Sequence, residues 1–353
     1  MMFAHSSHIQ VDHSPSAGAT AVLSEYPVLP LLGREGKLSQ LHEKYFQPFY
    51  CSAEVHDFEA SRSVMLSARC WRNERSHATL LIVAGRNESH AKYAEVAYDF
   101  FTRGFDVWMY DHRGQGFSQR ELVDTQIGWI ENFQNYVNDL SIFHDRILAP
   151  HKKKQFFLLA HSMGAAVSTL WMNQTRTQVD AAAFTAPMVD LVLKPYPRVV
   201  VSLMVAAGLR AGRDKEYIPG GTEFKADGYG FDLTNSAARR DWNRSLFSMY
   251  PQIRLGSPSY RWLHEALQVS RKLRSAGFVG AMQTPLLVWQ AGADQVVKPN
   301  AHRYLRYLGE KCVLAIERRS QHELLQERDD IRARVIERTI SFFETKADLK
   351  GQP

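Results

Sequence analysis

The sequence predicts an α/β protein in which a mostly parallel central sheet is flanked by helices and is covered by an inserted helical cap. Short apolar runs alternate with amphipathic helical patterns along most of the chain. One of these runs, residues 156–160, passes through a tight turn of small residues directly into a helix. The alternation stops between residues 188 and 282, where apolar helical pieces are separated by glycine- and aromatic-rich turns.

Composition limits the classes of function that fit this chain. The 353 residues are 45% hydrophobic and 23% charged, which is enough for one large domain with an insertion. The net charge of +6 is dispersed and shows no basic patch interleaved with aromatic residues, so no nucleic-acid partner is expected. A weak attraction to anionic lipid surfaces is compatible with this charge.

The cysteines and the N-terminus bear on cellular location. The three cysteines, Cys51, Cys70 and Cys312, are far apart and show no metal-ligand or disulfide spacing, which favours a reducing compartment. Residues 1–32 lack the pattern of a signal peptide, and no apolar run is long enough to span a bilayer. The sequence therefore predicts a cytoplasmic protein whose contact with membrane, if it occurs, is peripheral.

The chain divides into four predicted parts: an N-terminal leader (1–35), the first part of the core (36–187), the helical cap (188–282) and the second part of the core (283–353). The predicted strands, in order, cover residues 45–50, 64–71, 79–83, 105–110, 156–160, 179–184, 285–289 and 312–316, with an exposed connection over 54–59. The predicted helices cover residues 92–101, 129–148, a segment from 165, 199–209, 261–273, 300–308 and 330–343.

The turn after residues 156–160 carries the first candidate for catalysis, Ser162. Ala160 and Gly164 leave room for strand and helix to approach closely, which is typical of a strained turn that lifts a serine Oγ out of a sheet. The backbone amide of Met163 then lies at a helix N-terminus, where an oxyanion would form. The alternative is an ordinary strand-to-helix turn with a helix-capping serine.

Three motifs in order carry a resemblance to a known family. The segment 160–164 resembles the G-x-S-x-G nucleophile elbow of the α/β hydrolases, with Ala160 in place of the first glycine. Residues 84–88 read A-G-R-N-E and resemble the H-G-x-x-E loop of the monoacylglycerol-lipase-like branch, with Ala84 where that branch has histidine. Residues 111–118 resemble its structural D-x-R-G-x-G-x-S segment.

The resemblance implies a set of site residues. Asp294, in a small-residue turn after strand 285–289, stands where the family keeps its triad acid, and His322, after the last strand, stands where it keeps its base. Ser162, Asp294 and His322 would form the catalytic triad, with the oxyanion hole made by the amides of Arg86 and Met163. Glu88 would stabilise the oxyanion loop. The rivals are Asp190 for the acid and His302 for the base, whereas His112 lies in the structural loop.

The cap resembles that of bacterial lysophospholipases over residues 235–262. This resemblance implies hydrolysis of the acyl ester of single-chain phospholipids through an acyl-enzyme, without metal or other cofactor. The substrate would be a lysophospholipid or another monoacyl lipid, and the protein would lie in the cytoplasm, peripheral on the inner face of a bacterial inner membrane. The alternatives are a monoacylglycerol lipase or general carboxylesterase, a proline-iminopeptidase-like enzyme, and an inactive binding protein of the hydrolase fold. Four cap arginines could meet a phosphate head group or form a solvated helix face: Arg239, Arg240, Arg244 and Arg254.

Overall fold

The computed structural model describes residues 26–351 except 176 and 228. Most of the predicted leader, residues 1–25, therefore lies outside the described residues. Within the described part, no helix is both long and apolar enough to cross a membrane.

A central eight-stranded sheet organises the chain and confirms the predicted fold class. The strands are β1 (Glu54–Val55), β2 (Phe58–Glu59), β3 (Met65–Leu66), β4 (Ala68–Trp71), β5 (Ala78–Val83), β6 (Phe105–Tyr110), β7 (Gln155–His161), β8 (Ala181–Thr185), β9 (Leu286–Ala291) and β10 (Cys312–Glu317). Their order in the sheet is β1-β4-β6-β5-β7-β8-β9-β10, and β2 pairs with β3 outside it. Within the eight-stranded sheet, β4 is antiparallel to β1 and β6, and all the other pairs are parallel; the β2–β3 pair is antiparallel.

The central strands are buried on both faces because helices cover the sheet on both sides. Every residue of β5, β6 and β8 is buried, which explains why these strands read as continuous apolar runs rather than alternating ones. In the register, Val83 of β5 pairs with Ala160 of β7. The loops that follow β5 and β7 therefore emerge side by side at the carboxyl edge of the sheet, where ligands bind in open α/β sheets.

In the described part of the chain, seven α-helices of eight or more residues surround the sheet or form the insertion. They are α1 (Ala94–Phe101), α2 (Gln134–Ile142), α3 (Met163–Gln174), α4 (Arg198–Arg210), α5 (Ala237–Met249), α6 (Tyr260–Leu273) and α7 (Asp329–Gly351). Shorter helical turns cover residues 35–51, 61–63, 90–93, 143–151, 251–253, 276–279, 299–311 and 324–326.

The strand predicted over residues 45–50 is wrong, because this segment is helical. His42, Phe46 and Phe49 recur at helical spacing and are all buried. The ring of Phe49 stacks on Trp71 of β4 at a centroid distance of 5.1 Å. In a short aromatic run, the spacing of the apolar residues does not distinguish a strand from a helix. Here the packing of the aromatic side chains against the sheet edge favours the helix.

Two further boundaries differ from the prediction. The segment 54–59, predicted as an exposed connection, contains β1 and β2, and the single strand predicted over 64–71 is divided between β3 and β4. Ser67 lies at the break, where its backbone N–H donates to Ser118 Oγ instead of to a strand. The helix predicted over 129–148 is α-helical only in α2 and continues as a π-helix.

The segment between β8 and β9, which we call the cap segment (residues 188–282), contains α4, α5 and α6. A buried ion-pair network anchors α5 to the core. Arg239 donates to Glu95 of α1 at 2.9 Å and to Asp329 of α7 at 2.8 Å. This side chain, a sequence candidate for a head-group contact, is therefore fully engaged in holding the cap segment on the sheet.

Candidate active site

Ser162 occupies a strained turn between β7 and α3. Its backbone dihedrals are φ 50° and ψ −115°, in a region that residues with a side chain rarely adopt. A side chain at Gly164 would overlap the carbonyl oxygens of Val83 and Ala84, so glycine permits α3 to approach β5 closely. The turn holds Ser162 at the carboxyl edge of the sheet.

His322 and Asp294 lie in line with Ser162. The Nε2 atom of His322 is 2.9 Å from Ser162 Oγ, and its Nδ1 atom is 2.7 Å from Asp294 Oδ2. The other oxygen of Asp294 accepts the backbone N–H groups of Val296 at 2.8 Å and Val297 at 3.0 Å. The carboxylate is thus fixed by its own turn while it orients the imidazole.

Burial and hydrogen bonding determine the ionisation of Asp294 and of His161, which lies next to the triad. Burial alone would raise the pKa of Asp294, but the bond to His322 and the two backbone N–H groups hold that pKa below its ordinary value. The ring of His161 lies 4.8 Å from that of His322. Burial lowers the pKa of His161 to about 4, so this second imidazole is neutral at pH 7.

The two predicted oxyanion donors lie beside the serine. Arg86 and Met163 both line the cavity that contains Ser162. Within the described part of the chain, the backbone N–H of neither residue donates to an acceptor. The preceding residue, Gly85, is fixed by a 2.5 Å hydrogen bond from its N–H to Glu88 Oε2, so Glu88 pins the loop as the resemblance implies.

A buried lysine, not singled out from the sequence, connects this loop to the histidine loop. Lys92 Nζ donates to Glu88 at 2.8 Å and to Glu323, the neighbour of His322, at 2.6 Å. Burial opposes the charge on Lys92, but the two carboxylates raise its pKa well above the ordinary value. Burial likewise opposes the charge on Glu88, but the positive charge of Lys92 keeps the pKa of Glu88 below its ordinary value. The sequence did contain an indication of this ion pair, because Glu88 and Lys92 are four residues apart, a spacing at which opposite charges often pair.

The rival residues are engaged elsewhere. His302 Nε2 lies 2.9 Å from the carbonyl oxygen of Pro187, and burial lowers the pKa of this imidazole to about 4. The carboxylate of Asp190 forms ion pairs with Arg198, Lys298 and Arg274. Neither rival lines the cavity that contains Ser162.

The loop after β6 acts as a brace under the site. Asp111 accepts backbone N–H groups from His90 at 2.6 Å and from Phe117 at 2.8 Å. His112 Nε2 lies 3.0 Å from the carbonyl oxygen of Ala84, at the base of the oxyanion loop. These contacts give the loop a structural role beneath the β5 loop.

Two adjacent cavities lie at the carboxyl edge of the sheet, and one of them contains the serine. The first, of about 190 Å³, contains Ser162, His322 and Met163. The second, of about 600 Å³, is mostly apolar and lies against the cap segment. Its apolar lining includes Leu191, Leu193, Val200, Val201, Met204, Ile218, Trp262, Leu263 and Val296. The residues that line both cavities are Arg86, Leu191, Trp262 and Val296.

One group of side chains could in principle hold a metal ion. Glu54, His56 and Cys70 bring their ligand atoms within 4.8 Å of one another at the β1–β4 edge of the sheet. However, Arg72 donates to both oxygens of Glu54, at 3.0 Å and 2.5 Å, and supplies the positive charge there. We assign no ion to this group.

Comparison with known proteins gives consistent findings. The family model described as serine aminopeptidase, S33, matches residues 74–329. Lysophospholipase L2 of Escherichia coli is 32% identical over 289 residues, covering 80% of this chain and 84% of that protein. The probable lysophospholipase L2 of Haemophilus influenzae is 27% identical, covering 87% of this chain and all of that protein. A monoglyceride lipase from Saccharomyces cerevisiae has the same fold, with a TM-score of 0.67 at 15% identity, covering 83% of this chain and 95% of that one.

Proposed function

The chain belongs to the S33 serine aminopeptidase family, and we propose that within this family it acts as a lysophospholipase. In this proposal the enzyme hydrolyses the acyl ester of single-chain phospholipids, releasing a fatty acid and a glycerophospho-alcohol. The relatives named lysophospholipase L2, which align over most of this chain, support the lipid substrate. They also confirm the resemblance to bacterial lysophospholipases drawn from the sequence, and they favour ester hydrolysis over the peptidase activity in the family's name.

In the first half of the reaction, Ser162 Oγ attacks the ester carbonyl carbon while His322 Nε2 takes the hydroxyl proton. Asp294 stabilises the resulting imidazolium through its bond to Nδ1. The negative charge that develops on the carbonyl oxygen is accepted by the backbone N–H groups of Arg86 and Met163, each worth about 3 kcal/mol in the transition state. The carbon–oxygen bond to the alcohol then breaks, and His322 returns its proton to that oxygen.

In the second half, water replaces the alcohol. His322 removes a proton from the water as the remaining hydroxide attacks the acyl carbon. The bond to Ser162 Oγ breaks, the serine regains its proton from His322, and the fatty acid leaves. The neutral state of His161 favours both halves, because a second imidazolium at ring contact would oppose the charge that His322 must acquire.

The observation that carries the proposal is the apolar cavity of about 600 Å³ that adjoins the serine cavity. Its volume lies within the range of small-molecule sites, and its lining suits one hydrocarbon chain. Leu191, Trp262 and Val296 line both this cavity and the serine cavity, so a chain lying in it would extend toward Ser162.

The test compares hydrolysis of a lysophosphatidylcholine with that of a monoacylglycerol carrying the same acyl chain. We expect the higher kcat/KM on the lysophospholipid, and loss of both activities in Ser162→Ala. A higher kcat/KM on the neutral glyceride would overturn the assignment of substrate. Equal activity in Ser162→Ala would overturn the mechanism.

A monoacylglycerol lipase is the second candidate, because the apolar cavity would accommodate the chain of either lipid. The same comparison of substrates decides between the two.

We also propose that the protein is cytoplasmic and contacts the inner face of a bacterial inner membrane peripherally. Tyr196, which lines the apolar cavity, and Val199 and Leu203 of α4 are exposed by 62%, 69% and 67%. Arg198, one of the basic residues paired with Asp190, precedes Val199 in the chain. Sedimentation with anionic phosphatidylglycerol vesicles, but not with phosphatidylcholine vesicles, is the expected result, reduced in Leu203→Glu. Equal sedimentation of the variant would contradict this surface.

A further inference from the structure

The side chain of Arg86 takes no part in the bond-making and bond-breaking steps at Ser162. Its guanidinium lies where the two cavities meet, and the residue lines both. Among the described residues, its one hydrogen bond is from Nη2 to the carbonyl oxygen of Gly256 at 2.6 Å. Its Nε atom is buried without any partner.

The charge of this guanidinium is not compensated by any carboxylate in the described part of the chain. The groups that interact with it electrostatically are the neutral phenols of Tyr136 and Tyr217, and burial lowers the pKa of Arg86 to about 10. The fully buried arginines described here differ in this respect, since Arg34, Arg113, Arg239 and Arg332 each bind a carboxylate. A buried charge without a counter-ion is costly and is typical of a site that awaits an anionic ligand.

Contacts on the remaining sides fix the guanidinium in place. It lies over the ring of Trp262, 5.1 Å from the ring centroid. Gly128 provides the space on another side, because a side chain there would overlap Nη2. The anchored position leaves the Nε–H unpaired, and an arginine presents paired donors to the oxygens of a phosphate.

Resting on the proposed function, we infer that Arg86 binds the phosphodiester of the lysophospholipid and so determines substrate preference. Its backbone N–H lies at the predicted position of the ester carbonyl oxygen. Because Arg86 lines the serine cavity, one residue can contact both the reacting carbonyl, through its backbone, and the phosphate, through its side chain.

Two sources could supply an anion at this position, the phosphodiester of the substrate and the carboxylate of the released fatty acid. The experiment separates them by measuring two quantities on Arg86→Gln and Arg86→Lys. The first is the ratio of kcat/KM for lysophosphatidylcholine to kcat/KM for the monoacylglycerol of the same chain. The second is the inhibition constant of the free fatty acid, measured with the glyceride as substrate.

We expect Arg86→Gln to lower the activity on both lipids but to lower the ratio by about tenfold or more, the effect of one charge-assisted hydrogen bond. Arg86→Lys, which keeps the charge but lacks the paired donors, should give an intermediate ratio. The matched control is Arg254→Gln, because Arg254 also donates to a cap carbonyl, that of Phe247, but lines neither cavity. Its ratio should equal that of the wild type.

An unchanged ratio in Arg86→Gln would overturn the inference, since loss of the contact to Gly256 alone would affect both lipids equally. An unchanged ratio with weaker inhibition by fatty acid would assign the site to the product carboxylate instead. If the wild type hydrolyses neither lipid, the proposed function fails, and that outcome is distinct from either result on Arg86.

Discussion

Replacing Lys92 with methionine would leave two buried carboxylates, Glu88 and Glu323, without the cation that lies between them. All three side chains are at most 7% exposed. Removal of one partner from a buried ion pair costs about 3–5 kcal/mol, because the remaining charge stays desolvated. We expect Lys92→Met to lower the free energy of unfolding by about this amount, measured by urea denaturation at pH 7.

The pH dependence gives this prediction a definite sign. Without Lys92, burial raises the pKa values of both carboxyls above the unfolded value of about 4.3. The penalty is then fully present above the raised folded pKa and disappears below the unfolded one. The difference in unfolding free energy between the wild type and Lys92→Met should therefore shrink as the pH falls from about 7 to about 5.

Two controls test the explanation. The double variant Lys92→Met/Glu323→Gln removes one of the two uncompensated charges and should be more stable at pH 7 than Lys92→Met. Lys298→Met also removes a partner of a buried carboxylate, Asp190, but Lys298 is 45% exposed and Asp190 keeps two arginines. Its cost should be below about 1 kcal/mol. A Lys92→Met variant that loses no more than Lys298→Met, or whose loss is constant with pH, would refute the reasoning.

Three other changes have defined outcomes. Asp294→Asn should lower kcat by about 10³–10⁴-fold while the fold is retained, and a decrease below tenfold would be inconsistent with its role in orienting His322. Gly164→Ala should destabilise the protein by about 1–3 kcal/mol in urea denaturation, because the added methyl group meets the carbonyl oxygens of Val83 and Ala84; wild-type stability would show that the turn can relax. Met204→Trp should fill the apolar cavity and lower kcat/KM for p-nitrophenyl palmitate more than for the butyrate ester. An equal decrease for both esters would exclude the cavity as the acyl site.

The sequence predicted the parallel core well because each central strand is a continuous apolar run ending in small residues. The aromatic segment 45–50 was mispredicted as a strand, since its burial comes from contacts with Trp71 and Tyr98, which are distant in sequence. The pairing of Glu54 with Cys70 that forms β1 is also a long-range contact, and the local pattern of charged residues gives no indication of it.

At the site, order along the chain was enough to select Ser162, Asp294 and His322 for the triad, and the structure brings these three side chains together. Of the head-group candidates, one is engaged elsewhere. Arg239, one of the four cap arginines considered, is buried in ion pairs, whereas the guanidinium at the cavity belongs to Arg86, which was selected for its backbone alone. Counter-ions determine which arginine is free to bind a ligand, and these are contributed by residues far apart in the sequence.

The central claim is that Ser162 is the activated nucleophile. Intact-mass spectrometry after incubation with a fluorophosphonate tests this claim most directly, using the wild type, Ser162→Ala and Ser168→Ala, a control on the same helix. We expect a single adduct in the wild type and in Ser168→Ala, mapped by peptide analysis to Ser162, and no adduct in Ser162→Ala. An unlabelled wild type, or equal labelling of Ser162→Ala, would contradict the claim.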